Sequence, residues 1–352
     1  MKLINPIVMT DAQLNAVNVN ETDPGAYSAG TMYSIGDSVS VIVSASEYYI
    51  YEALASGNVG HTPASSPTWW QYVSNRYQTY SAGTTYGLGS VVQIETSGTH
   101  RIYQSLQTSN LGHAPASSPT WWVDAGPTNA WAMFDQSNSS QTLRKDLVYV
   151  QIKAADRVNA VMLANVSALS AHLYVTDTVD GLVYEQIVSL SSEGGIIDYY
   201  EWFFAPCTRK SDYVFINIPP YYQPTITLFL TDTGNTVALG AFICGLAQDI
   251  GGTQYGASVR IQDYSVKTVD AFGISSVTER AYAKRGNFTI QVDNTAVDEV
   301  QRLLASYRAT PIAWIGDDTL GSTMMFGFYK DFSITIQYPT ISICNLEIEG
   351  LT

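Results

Sequence analysis

The sequence predicts a mainly β protein made of two small β-rich modules, a β-sandwich and a C-terminal α+β domain. Three observations support this fold class. One segment occurs twice before residue 127, short alternating apolar runs follow it, and one amphipathic helix stands among strands near the C-terminus. We expect an N-terminal arm (1–26), the two modules (27–73 and 80–126), the sandwich (128–250) and the C-terminal domain (251–352).

The repeat is the strongest signal in the chain. GHTPASSPTWW (60–70) and GHAPASSPTWW (112–122) are identical at ten of eleven positions. The similarity extends from Tyr27 to about Val73 in the first copy and from Tyr80 to about Gly126 in the second. Such self-similarity indicates two tandem copies of one unit. Glycine turns before alternating apolar runs predict a short antiparallel sheet in each copy.

Each repeat ends in two adjacent tryptophans. Adjacent strand residues point to opposite faces, so one tryptophan of each pair faces the core and the other faces solvent. A unit this small needs aromatic side chains for its core. We assign to the core Trp69, Trp121, Tyr51 and Tyr103. An exposed tryptophan suits either stacking against a sugar ring or packing on a neighbouring domain. The candidates for sugar contact are Trp70 and Trp122, followed by Tyr27, Tyr33, Tyr80 and Tyr86.

The repeats resemble the chitin-binding type 3 carbohydrate-binding modules through the pattern Y-x-A-G-x-x-Y-x-x-G-D-x-V … Y … P-x-x-x-P-x-x-W. The first copy matches at Tyr27, Tyr33, Gly36, Asp37, Val39, Tyr51 and Trp69. The second copy matches at Tyr80, Tyr86, Gly89, Val92, Tyr103 and Trp121, with Ser90 in place of the aspartate. Family members usually begin with tryptophan where Tyr27 and Tyr80 stand. The resemblance implies a small β-rich fold and a carbohydrate ligand.

Residues 128–250 contain short, evenly spaced apolar runs separated by turns, a pattern typical of a β-sandwich or jelly roll. Their opening, TNAWAMFDQSNSSQT (128–142), resembles bacteriophage tail proteins that carry a galactose-binding-like sandwich. In this interpretation the loops of the sandwich contribute to packing and do not bind sugar.

The last region contains one convincing helix, TAVDEVQRLLASYRATP (295–311). Thr295 and Asp298 predict a capping box, and Pro311 lies beyond the end of the helix. One apolar stripe is formed by Val297, Val300, Leu303, Leu304 and Tyr307. The sequence FGFYKDFSITIQYPTISICNLEIEGL, like 128–352 as a whole, resembles tail-tip and baseplate proteins of tailed bacteriophages. The resemblance implies an assembly domain that docks the chain to the tail.

Charge and composition exclude several classes of function. The 352 residues carry a formal net charge of −14, and only 14% are charged. Binding to nucleic acid or to an anionic membrane needs clustered lysine and arginine, so neither is expected. The start, MKLINPIVMTDAQL, is a poor signal peptide, and no apolar run is long enough to insert into a membrane. We expect a soluble chain that is made in a cytoplasm.

The cysteines and the basic cluster suggest structural roles. Cys207, Cys244 and Cys344 are odd in number and form no CxxC pair, so we expect buried thiols in a reducing compartment and no zinc site. The one basic cluster, Arg280 with Lys284 and Arg285, suggests a salt bridge between subunits.

Signatures of enzymes are scarce in the sequence. No nucleophile elbow, phosphate loop or H-E-x-x-H motif is present. His61 and His113 are equivalent through the repeat, and we expect loop polarity or a hydrogen bond across the Pro-rich turn. Pairs such as Asp317-Asp318 do not require a glycosidase, which needs two converging carboxylates. We therefore expect no catalytic residue, no metal and no cofactor.

The leading hypothesis is a structural virion component of a bacteriophage tail tip or baseplate, assembled in the host cytoplasm. Its tandem modules would attach to host cell-surface glycan, its other partners would be tail proteins, and each particle would hold several copies. Two alternatives stay open. One is a polysaccharide-degrading enzyme with appended modules, and the other is a purely structural tail protein without sugar binding.

Overall fold

A computed structural model describes residues 1–19, 21, 23–44, 47–192, 198–204, 208–269 and 272–351. The chain is mainly β, as predicted. Cys207 lies outside the described residues, and so do Ser46 and Gly194-Gly195, where the sequence predicts turns.

The strands up to residue 127 are β1 (Lys2–Ile4), β2 (Leu14–Val17), β3 (Ser38–Ile42), β4 (Glu47–Ala53), β5 (Trp70–Thr79), β6 (Val91–Thr96), β7 (Thr99–Ser105) and β8 (Trp122–Pro127). The next are β9 (Thr142–Lys153), β10 (Ala160–Ser167), β11 (Ser170–Asp177), β12 (Gly181–Ser189), β13 (Ser191–Ser192), β14 (Thr208–Arg209), β15 (Tyr213–Phe215), β16 (Thr225–Gly245) and β17 (Ala247–Asp249). The last are β18 (Gly252–Thr253), β19 (Ser258–Asp263), β20 (Val266–Val269), β21 (Ser275–Thr278), β22 (Tyr282–Asp293), β23 (Ile312–Ile315), β24 (Met324–Thr335) and β25 (Ile341–Gly350). The helices are α1 (Tyr199–Phe204) and α2 (Val297–Ser306), and short 3-10 turns include Pro63–Ser65, Pro115–Ser117 and Asn294–Ala296.

The two repeats form one six-stranded sheet, which we call the repeat sheet, in the order β3-β4-β5-β6-β7-β8. Each copy contributes three antiparallel strands. The copies meet through a short parallel pair in which Gln78 of β5 faces Val92 of β6. Because β5 belongs to the first copy and also pairs with the second, the two copies are held in a fixed relation.

A seven-stranded sheet, the central sheet, follows the order β12-β11-β16-β10-β15, with β9 paired to β16 and β2 paired to β9. Strand β16 is 21 residues long, and its pairing with β9 is interrupted between Asp232 and Thr236. The sheet curls round one apolar core, which includes Val150, Leu163 and Leu173.

The third sheet, the C-terminal sheet, has the order β17-β1-β23-β24-β25-β22-β18, with β19 also paired to β22. Strand β1 lies between β17 and β23, so the start of the predicted N-terminal arm is an integral strand of this sheet. One face packs against α2, where Val300 and Leu304 of the predicted stripe are buried. The other face packs against the central sheet through a shared core that includes Ile4, Met162 and Phe326.

The start of α2 differs from the prediction. The capping box of Thr295 and Asp298 does not form, since a 3-10 turn over Asn294–Ala296 precedes the helix. The Asp293 carboxylate accepts the backbone N–H of Thr295 at 3.1 Å. The cap therefore lies upstream of the predicted position, because the chain enters the helix through this tighter turn.

Two of the three thiols agree with the prediction of buried cysteines. Cys244 and Cys344 are free and buried. Burial raises the pKa of Cys244 to about 12 and the pKa of Cys344 to about 11. Both thiols are therefore protonated and unreactive at neutral pH.

Candidate functional site

The tryptophans predicted to be exposed are the buried ones. Trp70 and Trp122 are each only 2% exposed, and Tyr33 and Tyr86 are buried beside them. In the first copy, the Trp70 ring lies edge-on to Tyr33 at 5.1 Å and to Tyr27 at 5.9 Å between ring centroids. The predicted sugar-contacting set is therefore mostly an inner aromatic cluster.

The second copy repeats this cluster closely. Trp122 lies edge-on to Tyr86 at 5.3 Å and to Tyr80 at 6.0 Å. Only Tyr27 and Tyr80 keep part of their surface, although their hydroxyl oxygens are buried without a partner among the described residues. The equivalence of the two clusters indicates that they are the folding core of the repeat.

The strand register explains which tryptophan faces inward. Trp70 is directly opposite Ala53 on β4, and Trp122 is directly opposite Ser105 on β7. Directly opposed residues project from the same face of a sheet, and both small partners are buried at 1% exposure. The indoles fill the space that these small side chains leave. Trp69 and Trp121 lie in the turns just before β5 and β8, so strand alternation does not describe the pairs, and the inward ring is decided by a register that the sequence does not display.

The tryptophans assigned to the core, Trp69 and Trp121, do pack against the core of their copies, but they are only partly buried. Each lies flat against a histidine of the same loop. Trp69 and His61 have ring centroids 4.1 Å apart and planes 10° apart, and Trp121 and His113 have values of 3.9 Å and 12°. We call these two stacks platform 1 and platform 2. Of the other residues assigned to the core, Tyr51 is buried as predicted, while Tyr103 is only partly buried.

The buried tryptophan holds the platform in place. The Nε1–H of Trp70 donates to the backbone carbonyl of His61 at 2.7 Å, and Trp122 donates to His113 at 2.8 Å. A hydrogen bond across the Pro-rich turn therefore exists, as expected, but the histidine contributes its carbonyl and uses its ring to stack. This link explains why the two tryptophans stay adjacent in both copies.

A buried asparagine, which was not predicted as a site residue, holds the backbone of each platform tryptophan by a hydrogen bond. Asn58 is fully buried, and its Nδ2 donates to the carbonyl of Trp69 at 3.3 Å. Asn110 does the same for Trp121 at 3.4 Å. The sequence does carry a signal for this residue, because an asparagine stands two residues before the Gly-His pair in both copies.

Each platform joins a partly exposed tryptophan, which also packs against the core of its copy, to a partly exposed imidazole. No ring nitrogen of His61 or His113 has a hydrogen-bond partner among the residues that the structure describes. Each imidazole can therefore offer one donor and one acceptor to a ligand. A pyranose has both features that such a surface complements, namely apolar C–H groups on its ring faces and hydroxyl groups at its edge.

A third histidine–tryptophan stack has a different character. His100 lies 4.2 Å from buried Trp131, and its ring nitrogens contact Glu21 and Asp11. Burial alone lowers the pKa of His100, but hydrogen bonds with the two carboxylates and their charges outweigh burial and raise it. This stack joins the N-terminal segment to the repeat sheet, so its role is structural.

Two of the three residues of the basic cluster pair with acidic residues of the same chain. Lys284 pairs with the buried Asp212, and Arg285 pairs with Glu349 at 2.5 Å. These two side chains are therefore held within the chain, and the salt bridge between subunits stays a prediction. Arg280 is exposed.

Over the described ranges, no group of three or more His, Cys, Asp or Glu side chains could hold a metal ion. Within the same ranges, neither helix is long and apolar enough to cross a membrane. Neither the protein-family models nor the curated proteins include a match to this chain.

Proposed function

We propose that this chain is a structural component of a bacteriophage tail tip or baseplate, without enzymatic activity, and that platforms 1 and 2 attach it to host cell-surface glycan. The observation that carries the glycan proposal is the partly exposed, histidine-backed tryptophan at equivalent positions of both repeats. In this proposal Trp69 and Trp121 are the residues that contact sugar. They replace Trp70 and Trp122, which serve as anchors.

The cost of keeping these rings exposed supports the proposal. A tryptophan that served only the core would gain by complete burial, as Trp70 and Trp122 do. Instead, in both copies a hydrogen bond from a buried asparagine and a hydrogen bond from the buried indole hold one partly exposed ring and its histidine in place. The same arrangement in both copies favours a binding surface over incidental packing.

The fused sheet adds to the argument. Equivalent strands of the two copies are three positions apart, which corresponds to a lateral displacement of about 14 Å. Two weak sites at a fixed separation gain affinity for a repeating polymer because the second contact is intramolecular. Several copies in one particle would increase this gain.

The remaining regions would attach the chain to other proteins of the tail. We propose that 128–250 is a galactose-binding-like sandwich and that 251–352 is the α+β domain that docks to other tail proteins in the virion. The resemblance of 128–352 to tail-tip and baseplate proteins supports this part of the proposal. The net charge of −14 disfavours nucleic acid as a partner.

The glycan proposal is tested with the full chain, biotinylated and displayed on streptavidin so that weak binding is multivalent. We expect the wild type to bind bacterial cells or members of a glycan panel, and the double variant Trp69→Ala with Trp121→Ala to lose that binding. The matched control is Tyr255→Ala, a fully exposed aromatic residue remote in sequence from the repeats. Retained binding in the double variant, or no binding by the wild type, would contradict the adhesive role. Release of sugar fragments would favour the enzyme alternative.

The virion proposal has a separate test. Antibodies against the chain should label tail tips of phage particles whose genome encodes it, as seen by electron microscopy. Particles that lack the chain would refute this part while leaving the platforms to be judged by binding.

A further inference from the structure

The two repeats are related by a translation within the repeat sheet. Strands β3, β4 and β5 alternate in direction, as do β6, β7 and β8, and the parallel pair of β5 with β6 joins the copies. Equivalent strands of the two copies therefore run in the same direction and follow the same order across the sheet. Platform 1 at the start of β5 and platform 2 at the start of β8 consequently present the same features with the same polarity.

The strand register shows that the translation has a large component along the strands. In the first copy, Val39 is level with Tyr72 of β5, through Tyr51 of β4. The equivalent residue of the second copy, Val92, is level with Gln78 of the same strand. Tyr72 and Gln78 are six residues apart, and the β-bulge in β5 accounts for one of the six. The five remaining steps of about 3.3 Å give a shift of about 17 Å along the strands.

This shift and the displacement across the sheet together set the distance between the platforms. Three strand positions correspond to about 14 Å across the sheet, and this component is perpendicular to the shift of about 17 Å. Equivalent points of the two copies are therefore about 22 Å apart in a flat sheet. A twist of about 20–25° per strand also turns the second platform relative to the first. The relation is a translation with a rotation, and not a two-fold axis.

A glycan strand has the same kind of symmetry. Its units are joined head to tail, so each unit is related to the next by a translation and a rotation in one direction. The platforms have nearly identical geometry, with stacked ring centroids 4.1 Å apart in the first and 3.9 Å apart in the second. Both therefore select the same unit in the same orientation. A single sugar occupies one platform, whereas one strand longer than about 22 Å reaches both.

We propose that platforms 1 and 2 form one composite site, which holds a single glycan strand at two points as it runs obliquely across the repeat sheet. This inference rests on the proposed function, because it requires that each platform contacts sugar. The loop residues beside Trp69 and Trp121 are exposed, among them Thr62, Ala64 and Ala114. A strand can therefore lie on both platforms through internal units, without a free end.

The pairing of β5 with β6 makes the second contact favourable. Because this pairing fixes the distance between the platforms, a strand held at one platform meets the other without ordering a flexible linker. Two linked contacts bind more tightly than one by about a hundredfold or more when both can be made at once. The composite site should thus distinguish long strands from short fragments of the same polymer.

The test uses the full chain in solution. The probes are length-fractionated fragments of the polysaccharide that the wild type binds most tightly in the glycan panel, labelled at the reducing end and measured by fluorescence anisotropy and calorimetry. We expect short fragments to bind weakly at two per chain. Fragments longer than about 22 Å should bind at one per chain, about a hundredfold or more tightly. Light scattering should show that a long fragment does not join two protein molecules.

Single-platform variants separate the composite site from the sugar contact itself. Trp69→Ala and Trp121→Ala each leave one platform, so each should bind short fragments at one per chain with the affinity of the wild type. Neither should bind long fragments more tightly than short ones. The control Tyr255→Ala should behave as the wild type does.

The outcomes distinguish the composite site from the proposed function. The composite site is overturned, and the glycan-binding role kept, by a wild type that binds short and long fragments equally at two per chain. A single-platform variant that retains the increase in affinity with length has the same meaning, because one platform would then explain the increase. A wild type that binds no fragment overturns the composite site and the glycan proposal together.

Discussion

Replacing the buried tryptophan of a pair should destabilise its repeat, whereas replacing the partly exposed neighbour should not unfold it. Trp70→Ala removes a ring that is 2% exposed, contacts Tyr27 and Tyr33, and donates to the carbonyl of His61. Truncation of a buried tryptophan to alanine costs about 3–5 kcal/mol. Trp69→Ala removes a partly exposed ring whose stack with His61 is worth about 0.5–1.5 kcal/mol beyond its burial. We expect Trp70→Ala to destabilise the first repeat and Trp69→Ala to leave it folded.

Hydrogen exchange read by mass spectrometry separates the two repeats in one sample. Trp70→Ala should accelerate exchange in 27–79 by about two to three and a half orders of magnitude, or abolish protection there if the repeat itself is less stable. The second repeat, 80–127, is the internal reference, and Trp122→Ala should produce the mirror result. Protection within about threefold of wild type after Trp70→Ala, or a greater loss after Trp69→Ala, would refute the assignment of anchor and platform.

Three further predictions concern the framework. Gly245→Ala should lower the free energy of unfolding, measured in urea, by about 1–3 kcal/mol or more, because its Cβ would collide with the backbone of the N-terminal segment. The control Gly83→Ala places its Cβ in open space and should be neutral. His100→Gln should lower the free energy of unfolding most below about pH 6.5, and this loss should shrink as pH rises through the raised pKa of His100. A loss that is constant across pH would contradict the carboxylate contacts. Peptide mapping after alkylation at about pH 8 should find Cys244 and Cys344 unmodified until the chain is unfolded, and rapid modification would contradict their burial.

Local patterns were sufficient for much of the fold. Alternating apolar runs and glycine turns predicted a mainly β chain, and the 3.6-residue spacing of Val300 and Leu304 predicted α2 and its buried stripe. The repeat predicted two equivalent units, since identical segments in one chain fold alike. These features depend on neighbours in sequence, so the sequence itself displays them.

What the sequence could not display was pairing between distant segments. The fusion of the repeats through Gln78 and Val92, and the insertion of β1 between β17 and β23, depend on contacts that no local pattern encodes. The same limit reversed the assignment within each tryptophan pair. Alternation predicted that one tryptophan of each pair faces the core, but only the register with Ala53 decided that Trp70 is the anchor.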